Sequence, residues 1–153
     1  MRRFKFKFEV ILNQRKGKED NALAALGAAQ RNYQMEISKK SKLMSDLSAA
    51  LERRELLANG TVDIGAYKLE QDFIVGTKQR MIQQDQAIVR ASKVVEKSLR
   101  AYLHARRQTR TIELIREKSY QEFRREQNKR EQKELDDLMI MRNRMKDLED
   151  LAS

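Results

Sequence analysis

Few side chains in this sequence are of the kinds that carry out chemistry, and their spacing does not group them into a recognisable site. The one histidine, His104, has Arg100, Ala101, Arg107 and Gln108 three and four positions away. A transition-metal site needs several His, Cys or carboxylate ligands converging on one point, and the chain contains no cysteine. Asp136 and Asp137 are adjacent, but neighbours on a helix diverge by about 100°, so the pair reads as a solvated face. The mid-chain turn offers only Asp63, too little to hold Mg²⁺ in another enzyme's active centre. There is no glycine-rich phosphate loop. Nucleophilic arrangements of Ser, Cys, His and Asp need a concave site, which two helices do not provide. The expectation is no enzyme, cofactor, metal or small-molecule substrate.

What remains is charge. The net charge is +10 with a pI of about 9.9. By count, residues 1–20 carry +4, 21–89 carry +1, 90–130 carry +8 and 131–153 carry −3. The basic block contains Arg100, Arg106, Arg107, Arg110, Arg116, Arg124, Arg125, Lys129 and Arg130. Glu113, Glu117, Glu122 and Glu126 stand among them at helical spacing and partly neutralise them. Arginine predominates, and its forked donors suit carboxylate or phosphate. Such a stretch can meet nucleic acid, anionic lipid or an acidic protein surface. Aromatics interleave too sparsely to stack single-stranded bases. A basic coiled coil that binds nucleic acid stays as an alternative to a protein-binding one, and a sharp loss of binding with salt would mark it.

The elements that carry these residues are long helices. Charged residues make up 37% of the chain and aromatics 6%, with no Pro or Trp and only five Gly. That composition belongs to coiled coils rather than to compact globules. One break interrupts it, Ala58-Asn59-Gly60-Thr61-Val62-Asp63-Ile64-Gly65, where Asn-Gly marks a turn and Asp63 can cap the next helix. The reading is all-α: a two-helix antiparallel coiled coil forming one domain over 1–153. Helix 1 covers about 3–57, the turn about 58–65 and helix 2 about 65–151.

Helix 2 carries a seven-residue series of Tyr67, Ile74, Met81, Ile88, Val95, Tyr102 and Thr109. Smaller or polar residues lie between: Thr77, Gln84, Ala91, Ser98, Ala105 and then Ile112. In helix 1 the 3/4 spacing picks out Leu23, Leu26, Gln30, Tyr33, Ile37, Lys40, Met44, Leu47 and Leu51, seven of the nine apolar. A seven-residue repeat implies a left-handed supercoil. Phe4 to Phe8 alternates with lysine like a strand, but five residues without a partner make a poor sheet. Phe4, Phe8 and Ile11 also fit helical spacing, and helix is the expectation.

With the turn near Val62, residue i faces the neighbourhood of 124 − i, so Phe4 meets Tyr120. Helix 2 then continues alone for about 30 residues, or about 45 Å. Leu138, Met141, Met145, Leu148 and Ala152 form a stripe there, with Leu135 and Met139 beside it. An unpartnered apolar stripe is a contact surface, and methionines suit an adaptable contact. Self-association of this stretch is a further possibility. No apolar run is long enough to span a membrane. Met1-Arg2-Arg3 is not followed by the apolar stretch of a signal peptide, so the expected compartment is the cytoplasm.

Phe4-Lys5-Phe6-Lys7-Phe8-Glu9-Val10-Ile11-Leu12 with Arg15-Lys16, the single mid-chain turn, and Glu131-Gln132-Lys133-Glu134-Leu135-Asp136-Asp137-Leu138 together resemble the FliJ family across the whole chain. Those proteins belong to the flagellar type III export apparatus. The resemblance implies a coiled coil similar to the central stalk of rotary ATPases, peripherally associated with the inner membrane at the flagellar basal body. Its paired-termini end would enter the hexameric export ATPase, and another part would engage the cytoplasmic domain of the membrane export gate. It also implies binding of export chaperones. Carried over by position, Glu131, Gln132, Lys133, Leu135 and Asp136 would face the ATPase, with Phe4, Phe8, Ile11, Arg124 and Arg125 nearby. Leu43 and Phe73 would face the gate, both on the rim of the seam. Asp46 and Ala50 depart from the family pattern, standing where relatives carry tyrosines. The equivalent stalk of a virulence-type secretion system is the nearest alternative.

Overall fold

The computed structural model describes residues 2–60 and 63–153. Thr61 and Val62, on which the centre of the expected turn falls, and Met1 lie outside the described residues. The chain is an all-α helical hairpin of two helices, α1 over Glu9–Asn59 (51 residues) and α2 over Ile64–Ala152 (89 residues). Its contacts divide into two compact units, Gly17–Arg106 and a terminal unit of Met1–Lys16 with Arg107–Ser153.

The Gly17–Arg106 unit pairs α1 and α2 antiparallel in the expected register. Arg53 donates to Glu70 at 2.9 Å, Arg54 to Gln71 at 2.8 Å, and Lys40 meets Asp85 at 2.6 Å. At the start of α2 the Asp63 carboxylate accepts from the Gly65 and Ala66 N–H groups at 3.0 and 3.3 Å. Two of the donors that a helix start leaves unmet are thereby satisfied, a cap worth about 1 kcal/mol. A Cβ at Gly65 would come within 3.3 Å of that same carboxylate oxygen, so glycine leaves the cap its room.

The seam of α2 follows the expected series. Ile74, Thr77 and Ala91 are buried, and Met81, Gln84, Ile88, Val95, Ser98, Tyr102 and Ala105 are half-buried. Tyr67 alone is left exposed. The α1 seam is rotated by one residue at alternate positions. Leu26, Tyr33, Lys40 and Leu47 face inward as expected, but the intervening places belong to Ala22, Ala29, Glu36, Leu43 and Ala50. Leu23, Ile37 and Met44 lie outside, Met44 being 53% exposed while Ala50 is 0% exposed. Leu43 is therefore a seam residue and not a rim residue.

Size complementarity explains the rotation. Counted from the Lys40–Asp85 and Arg53–Glu70 pairs, Ala50, Ala29 and Ala22 fall opposite Ile74, Val95 and Tyr102. A large side chain on one helix needs a small hole on the other. Counting apolar residues favours the bulky neighbours Leu23, Ile37, Met44 and Leu51, which would have placed bulk against bulk.

In the terminal unit α1 begins later than its sequence suggests. Residues 2–6 have no regular structure, and Lys7 and Phe8 form a turn. The Leu12 N–H donates to the Phe8 carbonyl at 2.9 Å, and Glu9 stands at the positive end of the helix. Side chains two apart on a helix diverge, whereas here the rings of Phe6 and Phe8 meet edge-on at 5.9 Å. Phe4 lies 5.2 Å from Tyr120 and 5.4 Å from Phe123. Aromatic pairs of this kind contribute roughly 0.5–1.5 kcal/mol each beyond burial, which favours the non-helical path. The helix expected over residues 3–8 is thus corrected to an aromatic strap. Leu12, at 1% exposure, is the buried residue there in place of Ile11.

The rotated α1 seam makes a distinguishing prediction. Ala50→Leu should destabilise by about 1–3 kcal/mol through overpacking, and Met44→Ala should stay within about 0.5 kcal/mol of the parent. Urea unfolding measures both, and the reverse order would return Met44 to the core.

Candidate partner-binding surfaces

In the terminal unit, the residues named for the ATPase fall into two groups. Phe4 is half-buried against Tyr120 and Phe123, while Phe8 and Ile11 are partly exposed beside it. A groove of about 510 Å³ runs along this end, lined by Phe4, Leu12, Lys16, Glu113, Arg116 and Tyr120 among others. Arg116 bridges to Glu9 at 3.4 Å, and Arg110 reaches Glu113 and Glu117 at 3.4 and 3.5 Å. Part of the arginine block is accordingly neutralised within the chain, as the spacing suggested. Such exposed pairs contribute little to stability.

The second group, Arg124, Arg125, Glu131, Gln132, Lys133, Leu135 and Asp136, is exposed on α2. Every residue from Asn128 to Ser153 is exposed, although α2 remains helical to Ala152. Leu135, Leu138, Met139, Ile140, Met141, Met145, Leu148 and Leu151 are each more than half exposed. Such a row of apolar side chains left in water marks a binding surface.

In the Gly17–Arg106 unit, Leu43 lines a shallow groove of about 420 Å³ with Lys39, Lys42, Asp46, Arg80, Gln83 and Gln84. Phe73 lies at the edge of the seam, 38% exposed. The Arg80 guanidinium sits 5.7 Å from the Phe73 ring centroid, within the range of a cation–π contact. Arg80 thus joins the groove that contains Leu43 to the ring of Phe73. Sequence reasoning passed over Arg80, although its i+7 spacing from Phe73 was a visible signal. Ala50, one of the two departures from the family pattern, is sealed in the seam and offers no surface.

One polar contact crosses the seam beside this groove. The Gln84 amide donates to the Glu36 carbonyl at 2.8 Å and to its carboxylate at 2.6 Å. That hydrogen bond, then one from Lys39, holds the Glu36 carboxyl below the ordinary glutamate range. Partial burial opposes the shift, and the charges of Lys39 and Arg90 add to it.

Residues 4–147 of this chain match the family model for the flagellar FliJ protein. The chain belongs to the FliJ family. It is thereby a component of the flagellar protein export apparatus. No curated protein and no solved structure matches the chain. The match covers Phe4 to Phe8, all of α1, and α2 as far as Asp147 in this FliJ-family chain. Among the described residues no helix is long and apolar enough to cross a membrane.

The lowered Glu36 value fixes the sign of a pH effect. Its contribution to stability is present above the unfolded-state pKa and is lost as pH falls through the folded one. Glu36→Gln should flatten the acid limb of stability against pH. An unchanged limb in denaturant titrations would remove Glu36 from that role.

Proposed function

We propose that this FliJ-family chain is the non-enzymatic stalk that couples the hexameric flagellar export ATPase to the export gate. The observation that carries the reading is the last stretch of α2, helical and exposed on all sides from Asn128 onward with its apolar side chains in water. Such a stretch is what a single-helix overhang entering a ring would present. The seven-residue repeat of α2 supports a left-handed supercoil behind it.

On this reading Glu131, Gln132, Lys133, Leu135 and Asp136 contact the ATPase, with Arg124 and Arg125 as a cationic collar and Phe4, Phe8 and Ile11 alongside. Leu43 and Phe73 contact the cytoplasmic domain of the gate protein, and the Arg80-capped ring of Phe73 supports that assignment by its exposure. Export chaperones are further partners. The chain works in the cytoplasm, peripherally held at the inner membrane beside the flagellar basal body.

Removing residues 131–153 should abolish stimulation of the ATPase while circular dichroism still reports a helical protein. Undiminished stimulation would sink the assignment of this stretch. Phe73→Ala should weaken binding to the gate domain with little change in melting temperature, whereas a large drop in melting temperature would place Phe73 in the core.

A further inference from the structure

The outer face of α2 within the Gly17–Arg106 unit carries Arg90, Lys93, Lys97 and Arg100. Their 3-4-3 spacing puts them on one side of the helix, about 15 Å long from end to end. All four are exposed, and they lie away from the seam positions Ala91, Val95 and Ser98. Glu96, which pairs with Arg100 at 2.5 Å, is the one acidic residue between Gln86 and Ile112.

The facing length of α1 does not compensate this stripe. In the register set by Lys40–Asp85 and Arg53–Glu70, residues 90–100 run beside about 24–34. That stretch of α1 holds one charged residue, Arg31, and no acid occurs from Asn21 to Met35. Glu36 reaches Arg90 electrostatically at one end only. Lys40 and Arg53, by contrast, each meet a carboxylate across the seam.

Aliphatic side chains border the stripe. Val89 and Val94 are each 51% exposed, and Leu103 is also exposed. No Phe, Trp or Tyr stands on this outer face between Val89 and Arg100. Cations mixed with half-exposed aliphatic groups suit the headgroup region of an anionic bilayer. Nucleic acid would favour aromatic platforms or a lone helix free to enter a groove, and this helix is packed against α1.

We propose that Arg90, Lys93, Lys97 and Arg100 form a docking stripe for anionic phospholipid headgroups, which lays this unit along a membrane surface. The stripe rests on the peripheral membrane association proposed above and shares no residue with the ATPase and gate contacts. Each cation adds about 1 kcal/mol near such a surface, so losing two weakens binding about 25-fold.

Co-sedimentation of the full chain with vesicles tests this. The chain should bind phosphatidylcholine vesicles containing a quarter phosphatidylglycerol, ignore pure phosphatidylcholine, and dissociate as salt rises. Lys93→Gln with Lys97→Gln should weaken binding about 25-fold. Lys68→Gln with Lys78→Gln, exposed elsewhere on α2, should not. Absence of binding at low salt, or equal loss in both variants, overturns the proposal. So does tighter binding to a duplex DNA fragment than to the anionic vesicles.

Discussion

The Gln84 amide reaches across the seam to both the backbone carbonyl and the carboxylate of Glu36, and the pairing in that part of the hairpin depends on register. Two helices joined by one turn bury only a narrow strip of side chains, and a shift by one heptad would bury a comparable area. Hydrophobic contact alone therefore discriminates poorly between alignments. A part-buried amide without its acceptors would lose hydrogen bonds costing about 1–3 kcal/mol to leave unmade. Polar groups inside a coiled-coil seam are known to set alignment in this way.

Register then decides where every functional side chain stands. It brings Ala50 opposite Ile74 and leaves Phe73 beside the seam with its face against Arg80. It puts Leu43 inside the seam and at the floor of a groove, so that one side chain serves packing and surface together. It also sets a length of α2 rich in cations beside a length of α1 without acids. In the terminal unit, ring contacts of Phe4 with Tyr120 and Phe123 tie down the chain end ahead of α1. Without them, a segment of alternating lysine and phenylalanine would have little reason to keep one path.

The family assignment gives these surfaces a setting. On the proposed reading, this component of the flagellar export apparatus works through what it touches. The exposed apolar residues of α2 after Asn128, the Phe73–Arg80 pair and the cationic outer face differ in chemistry. Each accordingly suits a different kind of neighbour.

Much of this was legible in one dimension. The lack of proline and the heptad series from Ile74 to Ile112 dictate two long helices, because periodicity and breakers act locally. The Asp63 cap and the meeting of Phe4 with Tyr120 follow from turn chemistry and from counting outward. The exposed end of α2 follows from the unequal lengths of the two helices. What only the tertiary structure decided was which α1 face turns inward and what path Phe4 to Phe8 takes. Alanines at 22, 29 and 50 look unremarkable alone, and become seam residues because bulky partners stand opposite. The strap leaves the helix because its rings find Tyr120 and Phe123, more than a hundred positions away in sequence. Both outcomes rest on matching shapes between distant segments, which no local pattern records.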